Sequence, residues 1–174
     1  MKSISRRQFV RTGAAVVAAP YFIPARLLGA DAPSKRITIG FVGTGDHGIG
    51  WNLRKYLTLP DAKVLMVCDV DGTRLRKAKG IVDAQYGNQD CAMTKDFREV
   101  IARQDIDALM ISTPDHWHTL ISVLALRAGK DVQCEKPTLT IDEGKLLIET
   151  VRKQGRIFQT STEDRSVPVY HRMA

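Results

Sequence analysis

Ile37-Thr38-Ile39-Gly40-Phe41-Val42-Gly43-Thr44-Gly45-Asp46-His47-Gly48 is the stretch that decides the fold. Its first half is nearly uncharged and rich in β-branched residues, the composition of a strand buried on both faces of a parallel sheet. Ile49, Leu53, Tyr56 and Leu57 then recur at helical spacing, so the chain reads strand, glycine turn, helix. In such a turn the first glycine, Gly43, permits the reversal. The second, Gly45, lets backbone approach a pyrophosphate, and the third, Gly48, lets helix pack on strand. The helix N-terminus, with Thr44, Asp46 and His47 in the turn, offers free N–H groups and partial positive charge to phosphates. This is the pattern of a dinucleotide site.

The next apolar run, Ala62 to Cys68, ends at Asp69. An acid about twenty residues past the last glycine is placed to bind the ribose hydroxyls of the adenosine and to repel a 2′-phosphate. That favours NAD over NADP. Two alternatives stand beside it: Asp69 starting the turn Asp69-Val70-Asp71-Gly72 and capping the next helix, and Arg74 with Arg76 hosting a 2′-phosphate instead.

Further along, Leu75, Ala78 and Val82 mark a helix ending near Gly87, and Asp96 to Arg103 a shorter one. Asp107 to Thr113 reads as a buried strand stopped by Pro114. Trp117 to Ala128 is a helix closed by Gly129, with Asp115 as its cap, and Lys130 to Cys134 is a strand entering Glu135-Lys136-Pro137. Thr140-Ile141-Asp142-Glu143 is a capping box opening a helix that stops at Gly155, and Arg156 to Thr160 is a last strand. The alternation predicts an α/β fold: a Rossmann-type, doubly wound parallel sheet of about six strands flanked by helices.

The first residues have a different character. Ser5-Arg6-Arg7-Gln8-Phe9-Val10-Arg11 followed by a modestly apolar stretch to Ile23 is a twin-arginine export pattern. It makes residues 1–32 a signal segment directed to the export machinery, with processing after Ala30 or Ala32, or retention as an anchor. A basic amphipathic arm is the alternative. Twin-arginine export carries folded proteins, which suits an enzyme loaded with cofactor before reaching the periplasm. The leader also explains the charge. The chain's net +7 includes Lys2, Arg6, Arg7, Arg11 and Arg26 with no acid among them, leaving +2 for the remainder. That is too little for a nucleic-acid face. Cys68, Cys91 and Cys134 are scattered and odd in number, so neither a disulfide framework nor a zinc site is expected. Asp115, His116 and His118 lack further ligands nearby, and no metal is expected.

Ligands of an open parallel sheet bind at the carboxyl ends of its strands. The turn, Asp69, Thr113 to His118 and Glu135 to Pro137 are therefore expected to converge, with His118 facing the cofactor. Lys136, held between Glu135 and Pro137, can donate to a substrate hydroxyl or carbonyl and share in proton transfer. On spacing alone an ion pair of Lys136 with Glu135 or another acid is an equal reading.

Gly43-Thr44-Gly45-Asp46-His47-Gly48, Thr113-Pro114-Asp115-His116-Trp117-His118 and Glu135-Lys136-Pro137, in this order, resemble the Gfo/Idh/MocA oxidoreductases, the glucose-fructose oxidoreductase and inositol dehydrogenase-like group. The resemblance runs from Arg36 to about Arg165. It implies a domain at 35–162 that binds NAD or NADP, and hydride transfer at a carbon of a sugar, cyclitol or related polyol. Thr113, Pro114 and His118 would line the cofactor, Glu135 would stand beside it, and Lys136 would handle substrate and take part in catalysis. It also implies homo-oligomers and a length roughly twice this one, with a second domain forming the substrate pocket. Residues 163–174 resemble only the start of that domain. The chain is therefore expected to be truncated and catalytically incomplete. The readings set against this are a stand-alone dinucleotide-binding module and a gene product without turnover.

Overall fold

The computed structural model describes residues 36–136, 138–162, 170 and 172 of the protein. Six parallel strands form one sheet: β1 (Ile37–Val42), β2 (Ala62–Cys68), β3 (Ala92–Thr94), β4 (Ala108–Ile111), β5 (Asp131–Glu135) and β6 (Phe158–Ser161). Their order is β3-β2-β1-β4-β5-β6. The chain winds outward from β1 to one edge, crosses back, and winds to the other, so the switch point lies between β1 and β4. Five of the strands lie where the sequence reading expects them. The sixth, β3, is a three-residue strand, too short for an alternation to show, and forms because Met66 to Cys68 offers it a ladder.

The glycine turn leads into a wide turn over Gly48–Leu53, which runs on into helical Arg54–Tyr56; together these are α1. The looser winding appears at its end, where the Arg54 N–H donates to the carbonyl of Ile49, five residues back. The remaining helices are α2 (Gly72–Tyr86), α3 (Phe97–Ala102), α4 (His118–Arg127) and α5 (Ile141–Gln154). Helices α2 and α5 end on Gly87 and Gly155 in the left-handed conformation. The capping box of α5 is complete: the Glu143 N–H donates to Thr140 Oγ1 at 3.2 Å, and the Thr140 N–H to Glu143 Oε2 at 3.0 Å.

The two faces of the sheet have separate cores. Ile39, Phe41, Val64, Val67 and Met110 pack with Ile49 and Leu53 of α1 and with Leu75, Ala78 and Val82 of α2. Val42, Leu109, Ile111 and Cys134 pack on the other face with Val100, Ile121, Leu126 and Leu147 from α3, α4 and α5. Val64 and Val67 share a face, against strict alternation, because the β1–β2 register skips Leu65: Ile39 pairs with Val64 and Gly40 with Met66. This double coverage accounts for the uninterrupted apolar runs.

Candidate functional site

The turn's three glycines do three different things. Gly43 has φ +92°, and a methyl placed on it would lie 2.5 to 2.6 Å from the backbone of Ser112 and Thr113. No other residue fits there. Gly48 is closed as well: a methyl on it would meet the Gly43 carbonyl oxygen at 2.4 Å. At Gly45 the same methyl finds nothing nearer than Arg74 Nη1 at 3.8 Å. The turn is thus packed from behind at two glycines and open at the third, where the helix N-terminus points its first-turn N–H groups. That open cradle is the observation that fits a pyrophosphate. Thr113 Oγ1, on the neighbouring loop, is buried with no hydrogen-bond partner among the described residues.

Hydrogen bonds across strand ends hold the cradle in place. The Gly43 N–H donates to the carbonyl of Cys68 at 2.9 Å, and the Ser112 N–H to that of Val42 at 2.7 Å. Asp69 Oδ2 accepts from the Thr44 N–H at 2.7 Å and from Thr44 Oγ1 at 3.0 Å, while Oδ1 accepts from the Asp71 N–H at 2.9 Å. The sequence leaves open whether Asp69 caps the next helix; the cap of α2 is Asp71, which accepts from the N–H groups of Thr73 and Arg74. Those bonds hold the Asp71 carboxyl below its ordinary value. Asp69 is locked to the glycine turn itself, at the edge where a ribose would lie.

Three segments converge at the carboxyl ends of β1, β4 and β5. Asn52, one turn beyond Gly48 on the same side of α1, donates through Nδ2 to Glu135 Oε1 at 2.6 Å and to Ser112 Oγ at 3.0 Å. His47 Nε2 lies 3.2 Å from the same carboxylate oxygen. Glu135 is 6% exposed. Its carboxylate is directed inward, tying the glycine helix to β5, rather than standing open beside a cofactor. Lys136 follows it, exposed, and makes no ion pair among the described residues; the pairing with Glu135 is not formed. Pro137 lies outside the described residues.

Thr113 and Pro114 form the loop beyond β4. His118 is 3% exposed, with Nε2 2.8 Å from the carbonyl oxygen of Thr113. The sequence reading has it facing the cofactor; in the fold its ring turns inward and braces the loop that carries Thr113 and Pro114. Asp115 is likewise corrected. It opens a short 3₁₀ turn, Asp115–Trp117, and α4 starts at His118 with Trp117 at its cap position. Asp46, at the mouth of the turn, is exposed.

The cysteines are packing residues. Burial pushes the Cys68 thiol up to about 12, with Asp69, Asp96 and Glu99 adding to it, and pushes Cys134 to about 12. The Tyr56 hydroxyl, also raised to about 12 by burial, donates to Gln133 Oε1. Among the functional-looking residues, Asn52 and Ser112 escape sequence reasoning. Only the spacing Gly48 to Asn52, one helical turn, hints that an amide would face the β4 end.

Comparison with known proteins agrees with this architecture. The chain is 32% identical over 124 residues to a glycosyl hydrolase family 109 protein of Saccharopolyspora erythraea, covering 69% of this chain and 27% of that protein. Among solved structures it is similar to scyllo-inositol dehydrogenase of Lactobacillus casei, with 28% identity, TM-score 0.70, and coverage of 80% of this chain and 40% of that one. A 3-ketoreductase of Actinomadura kijaniata, solved with NADP, shares the fold at TM-score 0.69 and 22% identity, over 79% of this chain and 41% of that one. The chain thus spans well under half the length of these relatives. Residues 37–162 match the Gfo/Idh/MocA oxidoreductase family, NAD-binding Rossmann fold, and the chain belongs to that family.

Proposed function

We propose that this chain is the cofactor-binding part of an exported oxidoreductase that transfers hydride between a nicotinamide dinucleotide and a sugar, cyclitol or related polyol. The observation carrying this reading is the join between β5 and the glycine helix. Glu135, held by Asn52 and His47, ties the end of β5 to the glycine helix, and the exposed Lys136 follows it directly. Bound there, the dinucleotide supplies the hydride acceptor or donor. The chain supplies the rest. The open side of Gly45 and the helix N-terminus hold the pyrophosphate, Asp69 accepts from the ribose, and Thr113 and Pro114 border the site. Lys136 donates a hydrogen bond to the reacting oxygen of the substrate and holds or returns its proton as hydride leaves or arrives. The similarity to scyllo-inositol dehydrogenase supports a cyclitol or polyol substrate.

Calorimetric titration of the folded chain with NAD(H) tests the first half; absence of binding by both NAD(H) and NADP(H) would sink it. Turnover is read with the domain joined to a second, substrate-binding domain. There Lys136→Ala should remove most polyol-dependent NAD reduction. A second reading rests on the family 109 relatives, whose name is that of glycosyl hydrolases. In it the same site oxidises a sugar transiently to assist glycoside cleavage. Aglycone release without net NADH accumulation would favour this reading, and stoichiometric NADH the first. Export, assigned to residues 1–32 outside the described structure, predicts that changing Arg6 and Arg7 together to Lys keeps the protein in the cytoplasm.

A further inference from the structure

A single amide ties two strand ends to the glycine helix. Ile111 of β4 pairs with Cys134 of β5, so the next residues, Ser112 and Glu135, stand side by side at the carboxyl ends. Asn52 of α1 reaches both: its Nδ2 donates to Glu135 Oε1 at 2.6 Å and to Ser112 Oγ at 3.0 Å. Gly48, one turn earlier, makes the approach possible, since a methyl there would already lie 3.2 Å from Ser112 Cβ. Each amide hydrogen thus has an acceptor. The two acceptors also fix which way the amide points, because the flipped amide would set its carbonyl oxygen against the carboxylate.

Glu135 is nearly buried, and a carboxylate so placed requires donors. His47 Nε2 lies 3.2 Å from the same oxygen, but the His47 ring is half exposed and donates only when that nitrogen carries a proton. The Asn52 amide does not titrate, and its contact is the shorter. It therefore holds the carboxylate at any pH at which the chain is folded. Lys136, next along the chain, is exposed and forms no ion pair among the described residues. A Glu135 carboxylate without its amide donor would have that adjacent ammonium as an alternative partner.

We propose that Asn52 is a positioning residue for the reaction: it holds Glu135 to the glycine helix, so that Lys136 keeps an ammonium unpaired with its neighbour. It acts through Glu135 rather than on the substrate. The inference rests on the hydride-transfer reading above, in which Lys136 handles the substrate oxygen, and adds the residue that keeps the lysine available.

The test titrates Lys136 in the full, ligand-free chain by NMR of isotopically methylated lysines, its signal assigned by loss in Lys136→Arg. Asn52→Leu keeps the bulk of the side chain and removes the donor. It should raise the proton affinity of Lys136 about three- to tenfold, a shift of about half to one pH unit, as the released carboxylate turns to the ammonium. In a Glu135→Gln background the same substitution should leave Lys136 where Glu135→Gln alone puts it, which a merely structural role does not require. Asn52→Asp, of the same shape, sets a second carboxylate against Glu135. Two such groups do not both stay ionised, so one takes up a proton, and the urea midpoint of this variant should fall relative to the parent's as pH rises from about 5 to about 8. The Asp variant carries the test where the Leu variant does not fold. The proposal is overturned if Lys136 titrates in folded Asn52→Leu as in the parent, if the shift persists without the Glu135 carboxylate, or if the Asp variant follows the parent at every pH. Calorimetry of the parent with NAD⁺ and NADP⁺ keeps the two readings apart. Absence of binding removes the hydride-transfer reading and leaves the effect of Asn52 on Lys136 standing, whereas binding with an unmoved Lys136 removes only the role of Asn52.

Discussion

Substituting Gly43 and Gly45 separately by alanine should divide the turn's structural role from its ligand role. At Gly43, alanine would hold φ near +92°, a conformation that costs an L-residue about 1–2 kcal/mol. Its methyl would also press on Ser112 and Thr113 backbone atoms at 2.5 to 2.6 Å. Those atoms cannot rotate away. Relief requires β4 to move from β1, stretching the 2.7 Å bond from the Ser112 N–H to Val42, worth about 1 kcal/mol. The expected loss is about 3 kcal/mol. For a domain of this size, with about 4 °C of melting temperature per kcal/mol, Gly43→Ala should melt about 12 °C lower. At Gly45 the backbone is not left-handed and the methyl finds only Arg74 Nη1 at van der Waals distance. Gly45→Ala should therefore melt within a few degrees of the parent, and slightly higher if the restricted unfolded chain dominates.

The ligand reverses the ranking. A dinucleotide at a hundred times its Kd stabilises the parent by about 2.7 kcal/mol, a rise of about 10 °C. Gly45→Ala fills the one open side of the turn and should lose most of that rise. Differential scanning fluorimetry with and without NAD⁺ reads both effects. A Gly45→Ala protein that kept the full shift would refute the placement of the phosphate at Gly45. A Gly43→Ala protein melting within 2 °C of the parent would refute the locked turn.

Three further outcomes follow from single interactions. Lys130 is 6% exposed and donates to the carbonyls of Arg103 and Ile106 at 2.6 and 2.7 Å; Lys130→Met should cost about 2–3 kcal/mol in urea unfolding, and an unchanged midpoint would contradict the buried role. The thiols of Cys68, Cys91 and Cys134, raised by burial to about 12, 11 and 12, should resist an aromatic disulfide reagent at pH 8 until the chain unfolds; rapid labelling of the native protein would contradict their burial. Backbone N–H groups of Arg74 and Thr73 lower the Asp71 carboxyl below its usual 3.8. Its contribution is therefore present above that value and lost as pH falls through the lowered one, so the stability gap between the parent and Asp71→Asn, measured by urea midpoint from pH 6 to 2.5, should close below pH 4.

What the sequence discloses here is whatever a short segment decides alone. The apolar run to Val42, the three glycines, the Thr140 capping box and the stops at Gly87 and Gly155 are each set by backbone geometry or local periodicity, and all appear where expected. What it conceals depends on which strand lies beside which. Asn52 is one amide among apolar neighbours until β4 and β5 are known to follow β1 in the sheet, bringing Ser112 and Glu135 to it. The same holds for His118. A histidine at the first turn of a helix reads as ligand-facing, yet packing of α4 on the sheet turns it inward to the Thr113 carbonyl.

The pairing of Glu135 with Lys136 shows why such neighbours cannot be separated from sequence alone. Two adjacent opposite charges invite an ion pair, and in an exposed loop that pair would be worth little in either direction. Here the first charge sits at the last position of a strand covered by a helix, and successive side chains of a strand point to opposite sides. Glu135 is therefore drawn in toward Asn52 and His47, where it is nearly buried, while Lys136 emerges as the strand ends. Donors from Asn52 and His47 stabilise the carboxylate, so it does not need the lysine, and the lysine forms no ion pair among the described residues. The exposure that the proposed substrate role of Lys136 requires is therefore in place where β5 ends. It is reached through the burial of its neighbour rather than through any property of Lys136 itself.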